Sequence, residues 1–300
     1  MAVGKPFGIL NVNKPAGCTS RDVVSQVERL TLPAKCGHAG TLDPLATGVL
    51  VVCVGQATRL IQYVQRLRKQ YRGTFLLGRR SVTDDVEGAV EELPDAPQPE
   101  RDAVEAALGA FRGEIEQRPP AHSAIKIGGQ RAYDLARRGE QFELAARTVS
   151  VYRLEILRYE YPELELAIEC GGGTYVRALG RDLAAALGTS AVMSALVRTA
   201  IGGWRVEDAV PLDALTADTL SQHLQPALAA VADLPQIQLS AKQLTEIRHG
   251  RPIAKPKSKA GPAEAGPPAE WAAVDSTGAL AAILFEKQPG ELWPARNFEA

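Results

Sequence analysis

The segment Gly37-His38-Ala39-Gly40-Thr41-Leu42-Asp43-Pro44-Leu45-Ala46-Thr47-Gly48 leads without a break into Val49-Leu50-Val51-Val52-Cys53-Val54. The apolar run from Gly48 to Val54, set between glycine-bearing turns, is too short for a helix and is predicted to form a buried strand. The loop ahead of it carries a single acid, Asp43, in a part of the chain otherwise rich in cations. Neighbouring positive charge lowers a carboxyl pKa, so Asp43 is expected to be ionised and fit to act as nucleophile or base. A strand end is a rigid support for such a group. The same residues also suit plain turn chemistry, with Asp43-Pro44 initiating a turn and Gly37 and Gly40 permitting tight bends.

Outward from this loop, charge is unevenly spread although the net charge is only −1. Residues 1–80 hold twelve Lys and Arg against three acids, a local +9, and residues 81–110 hold nine acids against Arg101, a local −8. Such segregation suits a face that binds a polyanion, with solubility balanced elsewhere. With 45% hydrophobic and 23% charged residues, the 300-residue chain has material for one large domain and one small one, with no charge excess forcing disorder. Met1 to Leu10 shows no basic flank ahead of a sustained apolar stretch, and no later segment nears roughly eighteen consecutive apolar residues. Neither export nor membrane insertion is implied, and a cytoplasmic location is expected.

Periodicity places the main elements. Thr19 and Ser20 precede Val23, Val24, Val27 and Leu30, one helical face with hydroxyls at its start. A second helix is expected from Thr58 through Leu60, Ile61, Val64 and Leu67, then a strand from Tyr71 to Leu77 ended by Gly78. The acidic, proline-bearing stretch Thr83 to Glu100 is expected to be an exposed loop, followed by a helix through Val104, Ala107, Leu108 and Phe111. Two strands are predicted between Thr148 and Cys170, a helix from Tyr175 to Leu187 closed by Gly188, and a strand over Ala195 to Ile201. These elements, without strict alternation, indicate an α/β or α+β domain with a mainly antiparallel sheet. Near Leu234 the texture changes. Ser240 to His249 reads as a short helix, Ala254 to Pro268 as a flexible insert, and Trp271 to Val274, Ala279 to Phe285 and Leu292 to Phe298 as strands of a small β-barrel.

Other strings with chemical potential are fewer. Gly171-Gly172-Gly173-Thr174 ahead of a helix suits either an anion nest or a plain strand-to-helix turn, and it lacks a nucleotide-binding fingerprint. Arg177, flanked by Val176 and Ala178, is the kind of arginine that usually has a carboxylate partner. Gln117 to Gly139 places five Lys and Arg among two prolines, a Gly-Gly pair and Tyr133, which suits a loop closing on a nucleic-acid backbone or an ordinary surface hairpin. Cys18, Cys36, Cys53 and Cys170 show no C-x-x-C spacing and no histidine pair to complete a zinc site, so they read as reduced thiols and no metal is expected. His38 and His122 likewise lack metal-ligand company.

Taken together, these strings resemble the bacterial tRNA pseudouridine-55 synthases, the TruB family, across roughly Phe7 to Leu234. Asn13-Lys14-Pro15-x-Gly17-x-Thr19-Ser20 resembles the family's first motif and Gly37 to Gly48 its catalytic motif. Lys69-x-Tyr71 resembles the third, Gln117-x-Pro119-Pro120-x-x-Ser123-Ala124-x-Lys126 the RNA-binding thumb, and Gly173-Thr174-Tyr175-x-Arg177 the motif that holds the catalytic acid. The segment after Leu234 is more loosely similar to the small PUA-type barrel appended in this family. The resemblance implies a catalytic domain over residues 1–234, with a thumb insertion at about 117–139, and a PUA-like domain over 235–300 with a flexible insert at about 254–268.

The resemblance further implies that Asp43 is the essential carboxylate, that Arg177 pairs with it, and that Tyr71 stacks on the target uracil. His38 would occupy space around the extruded base, Tyr175 would pack close by, and Lys14 with Pro15 would brace the floor of the site. Lys14, Lys126, Arg131 and His122 would belong to the substrate and RNA-binding set. Where the family's thumb usually carries a tyrosine, this chain has His122. The implied reaction breaks and remakes a glycosidic bond without redox or phosphoryl chemistry, so no cofactor is expected. The implied partner is the T-arm stem-loop of tRNA, met by a monomer with no obligatory protein partner. A glycoside hydrolase would instead call for a second carboxylate in reach. Two other readings use the same residues, a non-catalytic tRNA-binding protein and a guide-RNA-dependent synthase.

Overall fold

In the computed structural model, described residues run over 6–256 and 270–298, apart from positions 124, 128, 133, 134, 136, 137, 139, 141 and 143. One large sheet contains the strands β1 (Gly8–Lys14), β2 (Thr47–Val54), β3 (Lys69–Leu77), β4 (Gly113–Gln117), β5 (Arg147–Glu160), β6 (Glu163–Cys170), β7 (Ala191–Ile201) and β8 (Val210–Pro211). Their spatial order is β8-β1-β2-β7-β3-β6-β5-β4, with Cys36–His38 added to β2 and Trp204–Arg205 to β7. Neighbours pair antiparallel except β1 with β8 and β2 with β7. The expected mainly antiparallel mixed sheet is therefore present.

β2 is apolar and buried from Gly48 to Val54 because both of its faces are covered. Leu50, Val52 and Val54 meet Val23, Val24 and Val27 of α1 (Ser20–Thr31). Val49, Val51 and Cys53 face Leu60, Tyr63 and Val64 on the other side. The predicted cap of α1 is a full capping box, with Thr19 Oγ1 accepting from the Asp22 amide at 3.1 Å and Asp22 Oδ2 accepting from the Thr19 amide at 2.8 Å. The second helix starts later than expected, as a 3₁₀ turn over Gly55–Leu60 followed by α2 (Ile61–Arg66). The Thr58 hydroxyl donates back to the Gly55 carbonyl, inside that turn, in place of capping a helix.

The other half of the sheet is covered by α3 (Arg101–Leu108) and α4 (Val176–Ala186), which bury Val104, Leu108, Leu179 and Leu183 against Phe75, Leu154, Leu164 and Leu166. The acidic stretch is largely the exposed loop expected, with two local departures. Glu91–Glu92 pairs with Arg79–Arg80 as a short ribbon, and Asp85 is 3% exposed and bridged to Met193 of β7. Burial became possible because arginines from α4 meet its carboxylates, which composition does not reveal.

Towards the C-terminus, β9 (Gln236–Gln238), α5 (Ala241–Arg248), β10 (Ile253–Ala254), β11 (Glu270–Val274), β12 (Leu280–Gln288) and β13 (Glu291–Asn297) form a second unit with strand order β9-β11-β12-β13-β10. The expected barrel is an open five-stranded sheet among the described residues, since no ladder joins β9 to β10. Ile253–Ala254 is claimed by the edge of this sheet through pairing with β13, so the expected flexible insert does not begin at Ala254; residues 257–269 lie outside the described residues. This unit shares a core with the large sheet, where Ala272, Leu280, Ile283 and Phe298 pack with Ile9, Val51 and Leu60. No helix among the described residues is long and apolar enough to cross a membrane.

Candidate active site

The parallel contact between β2 and β7 is only two residues long, Thr47 opposite Val197 and Gly48 opposite Arg198. The Asp43 loop enters the sheet at this junction. Gly48 has φ +97, and a Cβ there would lie 2.3 Å from the Arg198 carbonyl oxygen, so only glycine fits.

Three buried side chains hold the loop's backbone. Lys14, at the end of β1, donates its ammonium to the carbonyls of Pro15 (2.9 Å), Pro44 (3.1 Å) and Ala46 (2.7 Å). Ser20, the first residue of α1, bonds both the amide and the carbonyl of Leu42 at 2.8 and 3.1 Å. Arg198 on β7 donates to the carbonyls of Val49 (2.7 Å), Gly40 (3.1 Å) and Thr41 (3.4 Å). A loop with every end secured in this way can hold a side chain in one orientation.

That side chain is Asp43. Arg177, in the first turn of α4, grips it with two donors: Nε lies 3.0 Å from Oδ2 and Nη2 lies 3.0 Å from Oδ1. The guanidinium also meets Asp85 Oδ2 at 3.1 Å and donates to the carbonyls of Thr83 (2.7 Å) and His122 (3.1 Å). Side-chain exposure is 6% for Arg177, 4% for Asp85 and 31% for Asp43, so only the loop carboxylate opens outward. Charge alone led to the expectation of a lowered Asp43 pKa; the direction is the reverse. Burial pushes the Asp43 carboxyl up from the ordinary aspartate range, and the nearby Asp85 charge adds to that, against the pull of Arg177 and Lys14.

Tyr71 on β3 stands across the ladder from Arg198. Burial raises its phenol pKa, the Arg198 guanidinium works the other way, and the Asp43 carboxylate is close enough to contribute to the rise. His38 is half-buried at the start of the loop; its Nδ1 is enclosed without a partner, and burial next to Arg198 lowers the imidazole pKa. Tyr175 precedes α4 and carries the Arg147 guanidinium over its ring at 4.8 Å. His122 reaches Arg177 through its backbone carbonyl. Lys126 and Arg131 are paired across a two-stranded ribbon, and their side chains lie outside the described residues. Lys14 is a correction to the RNA-binding set: it is fully buried on backbone carbonyls and has no surface to offer a polyanion.

Two members of this constellation were missed in the sequence. Asp85 was hidden in an acidic run that reads as solvated. Arg198, between Leu196-Val197 and Thr199-Ala200-Ile201, carried much the same signal that singled out Arg177, an arginine in a mostly apolar run. The cysteines are free, three of them buried, and burial pushes the Cys53 thiol up to about 12 and Cys170 to about 11, which makes them inert. Among the described residues, no three His, Cys, Asp or Glu side chains are grouped to hold a metal.

Comparison with known proteins bears directly on this arrangement. The family model described as TruB family pseudouridylate synthase (N terminal domain) matches residues 28–176, the stretch from α1 to the start of α4. A protein of Arthrobacter sp. (strain FB24) named tRNA pseudouridine synthase B is 42% identical over 285 residues, covering 93% of this chain and 92% of its own length. The chain belongs to the TruB family of pseudouridylate synthases.

Other relatives of the same name lie in Thermobifida fusca (strain YX), 43% identical over 85% of this chain and 89% of the relative, and in Caulobacter vibrioides, 40% identical over 97% and 96%. As a TruB-family member the chain is a pseudouridine synthase. Its fold is shared with the solved structure of an H/ACA RNP bound to a substrate RNA containing 2'-deoxyuridine, with TM-score 0.73 and 25% identity over 98% of this chain and 86% of that one. A Cbf5-Nop10-Gar1 complex gives TM-score 0.74 and 26% identity over 98% and 84%.

Proposed function

We propose that this synthase acts on tRNA, converting the T-loop uridine at position 55 to pseudouridine, with Asp43 as the essential carboxylate. The observation that carries the reading is the forked Asp43–Arg177 pair on a braced loop, opening outward beside Tyr71. Relatives covering nearly the whole chain are named for tRNA, which supports the choice of substrate.

In the proposed reaction the N1–C1′ bond of the uridine breaks, the uracil turns, and a C5–C1′ bond forms. C5 loses its proton and N1 gains one, so composition is unchanged and neither electrons nor phosphate are exchanged. The base must first leave its stack, at a cost of a few kcal/mol, and stacking on the Tyr71 ring returns about 1–3 kcal/mol. His38 and Tyr175 line the space around the extruded base. Arg177 keeps the Asp43 oxygens in place, and Lys14, Ser20 and Arg198 fix the backbone that bears them. Lys126, Arg131 and His122 are assigned to the thumb over about 117–139, which closes on the T-arm.

In this reading residues 1–234 form the catalytic unit. The unit from 235 to 300 is a PUA-like RNA-binding appendage, supported by its five short strands and its shared core with the catalytic sheet. The chain acts as a monomer on a T-arm stem-loop. The test is a T-arm stem-loop carrying C5-tritiated uridine: the isolated chain releases tritium, and Asp43→Asn abolishes release while still binding the RNA. Silence of the isolated chain would favour a guide-dependent synthase. Normal release by Asp43→Asn would end the assignment of the carboxylate.

A further inference from the structure

The string Gln117-x-Pro119-Pro120 stands at the head of the thumb, where an RNA contact would be the natural assignment. Gln117 itself is 1% exposed and cannot touch RNA. Both ends of its carboxamide are engaged by one residue: Oε1 accepts from the Tyr175 amide at 2.7 Å and Nε2 donates to the Tyr175 carbonyl at 3.0 Å. Tyr175 is the N-cap of α4, and its own side chain makes no capping bond. A helix start without a side-chain cap leaves its first amides unanswered and its entry angle loosely set. Here a glutamine from another strand fixes that residue in the way a neighbouring β-strand would, and Arg177 lies two residues further on.

Other contacts run between the same two segments. Arg147, the ladder partner of Gln117 on β5, donates to the Gly173 carbonyl and covers the Tyr175 ring, so the approach to α4 is held from both strands. On the helix, Arg177 donates to the His122 carbonyl and Arg181, one turn later, to the Arg118 carbonyl at 2.8 Å. Arg181 also meets Asp84 at 2.9 Å, next to the Asp85 that Arg177 holds. The first residues of the thumb are thereby fastened to the helix that grips the catalytic acid.

We propose that Gln117 is a positioning residue for Arg177, and that the head of the thumb is a clasp on α4 while RNA contact belongs to the residues beyond it. The proposal deepens the functional reading above and rests on it for the measured reaction. Gln117→Leu keeps the bulk and removes both bonds. Its rate at saturating RNA falls on the order of 100-fold, the scale expected when a reacting group is misplaced by about an ångström. Its dissociation constant for the stem-loop stays within about threefold of wild type, as expected for a residue outside the RNA contact surface. Gln117→Glu can make both bonds only with its carboxyl protonated, because a buried carboxylate would face the Tyr175 carbonyl, so it retains more rate than Gln117→Leu only towards low pH, compared at the same pH.

Amide hydrogen exchange of the free protein supplies a readout independent of turnover: the peptide spanning Tyr175 to Leu179 exchanges faster in Gln117→Leu, with β5 and β6 unchanged. Loss of RNA affinity in parallel with rate, or unaltered protection of that peptide, overturns the clasp. A variant that loses protection throughout has a general folding defect, and the Gln117→Glu exchange pattern then decides. If wild type itself releases no tritium, the functional reading fails, while the exchange result still judges the clasp.

Discussion

Asp43 titrates between opposing influences: burial and Asp85 raise its pKa, while Arg177 and Lys14 lower it, and the net direction is upward. A base or nucleophile must be ionised, so activity falls as pH drops through this raised value. The acidic limb of the kcat/KM profile is therefore expected above the ordinary aspartate pKa of about 3.9. Asp85→Asn removes a like charge, so the limb moves to lower pH, whereas an upward move would show that Asp85 acts mainly by steadying Arg177. Tritium release followed across the acidic range measures both. Asp43 and Arg177 were legible because each breaks its local pattern, a lone acid among cations and a cation among apolar residues. Their partners were not, since the Asp43–Arg177 bond spans 134 positions and the Asp85 contact exists only once α4 lies over the acidic stretch.

Among the elements, β2 and α1 could be read directly because local signals and burial agree in them: an uninterrupted apolar run covered on both faces, and a capping box at a helix start. The tip of the acidic stretch at Asp84 and Asp85 could not, because its burial depends on charges supplied from α4. Helix α4 also shows how tightly the two layers fit. A Cβ at Gly180 would lie 2.1 Å from Cε1 of Phe75, a fully buried ring on β3. Gly180→Ala is expected to destabilise the fold by about 1–3 kcal/mol as Phe75 is driven from its place, although alanine favours the helix. Urea unfolding of the variant measures this, and an unchanged or higher midpoint would contradict the packing.

At the scale of the whole molecule, the C-terminal unit is joined to the catalytic sheet by core contacts. Phe298 stacks on Phe7 with ring centroids 5.7 Å apart, Arg59 lies 5.3 Å from the Phe298 ring, and the Tyr63 hydroxyl bonds Glu270 at 2.9 Å and Arg296 at 3.0 Å. A shared core predicts a single cooperative unfolding transition in calorimetry. Phe298→Ala is expected to lower stability by about 3–5 kcal/mol, and two separate transitions in wild type would show the junction to be weak. The sequence marked the change of texture near Leu234 but not this continuity, because the contacts join residues at opposite ends of the chain.

The charge segregation read from the sequence also takes another form once folded. Of the cations in the first eighty residues, Lys14 and Lys69 are buried on carbonyls, and Arg21, Arg66, Arg68, Arg72, Arg79 and Arg80 each face a glutamate. Arg79 and Arg80 take theirs from the acidic segment itself. A basic segment whose guanidinium groups mostly face glutamates offers few free cations to neutralise the phosphates of a stray polyanion, so weak, readily reversed binding of unrelated RNA is the expected outcome. Discrimination between RNAs is then expected to rest on how long a correctly shaped loop stays seated beside Asp43, a matter of residence time more than of attraction at a distance.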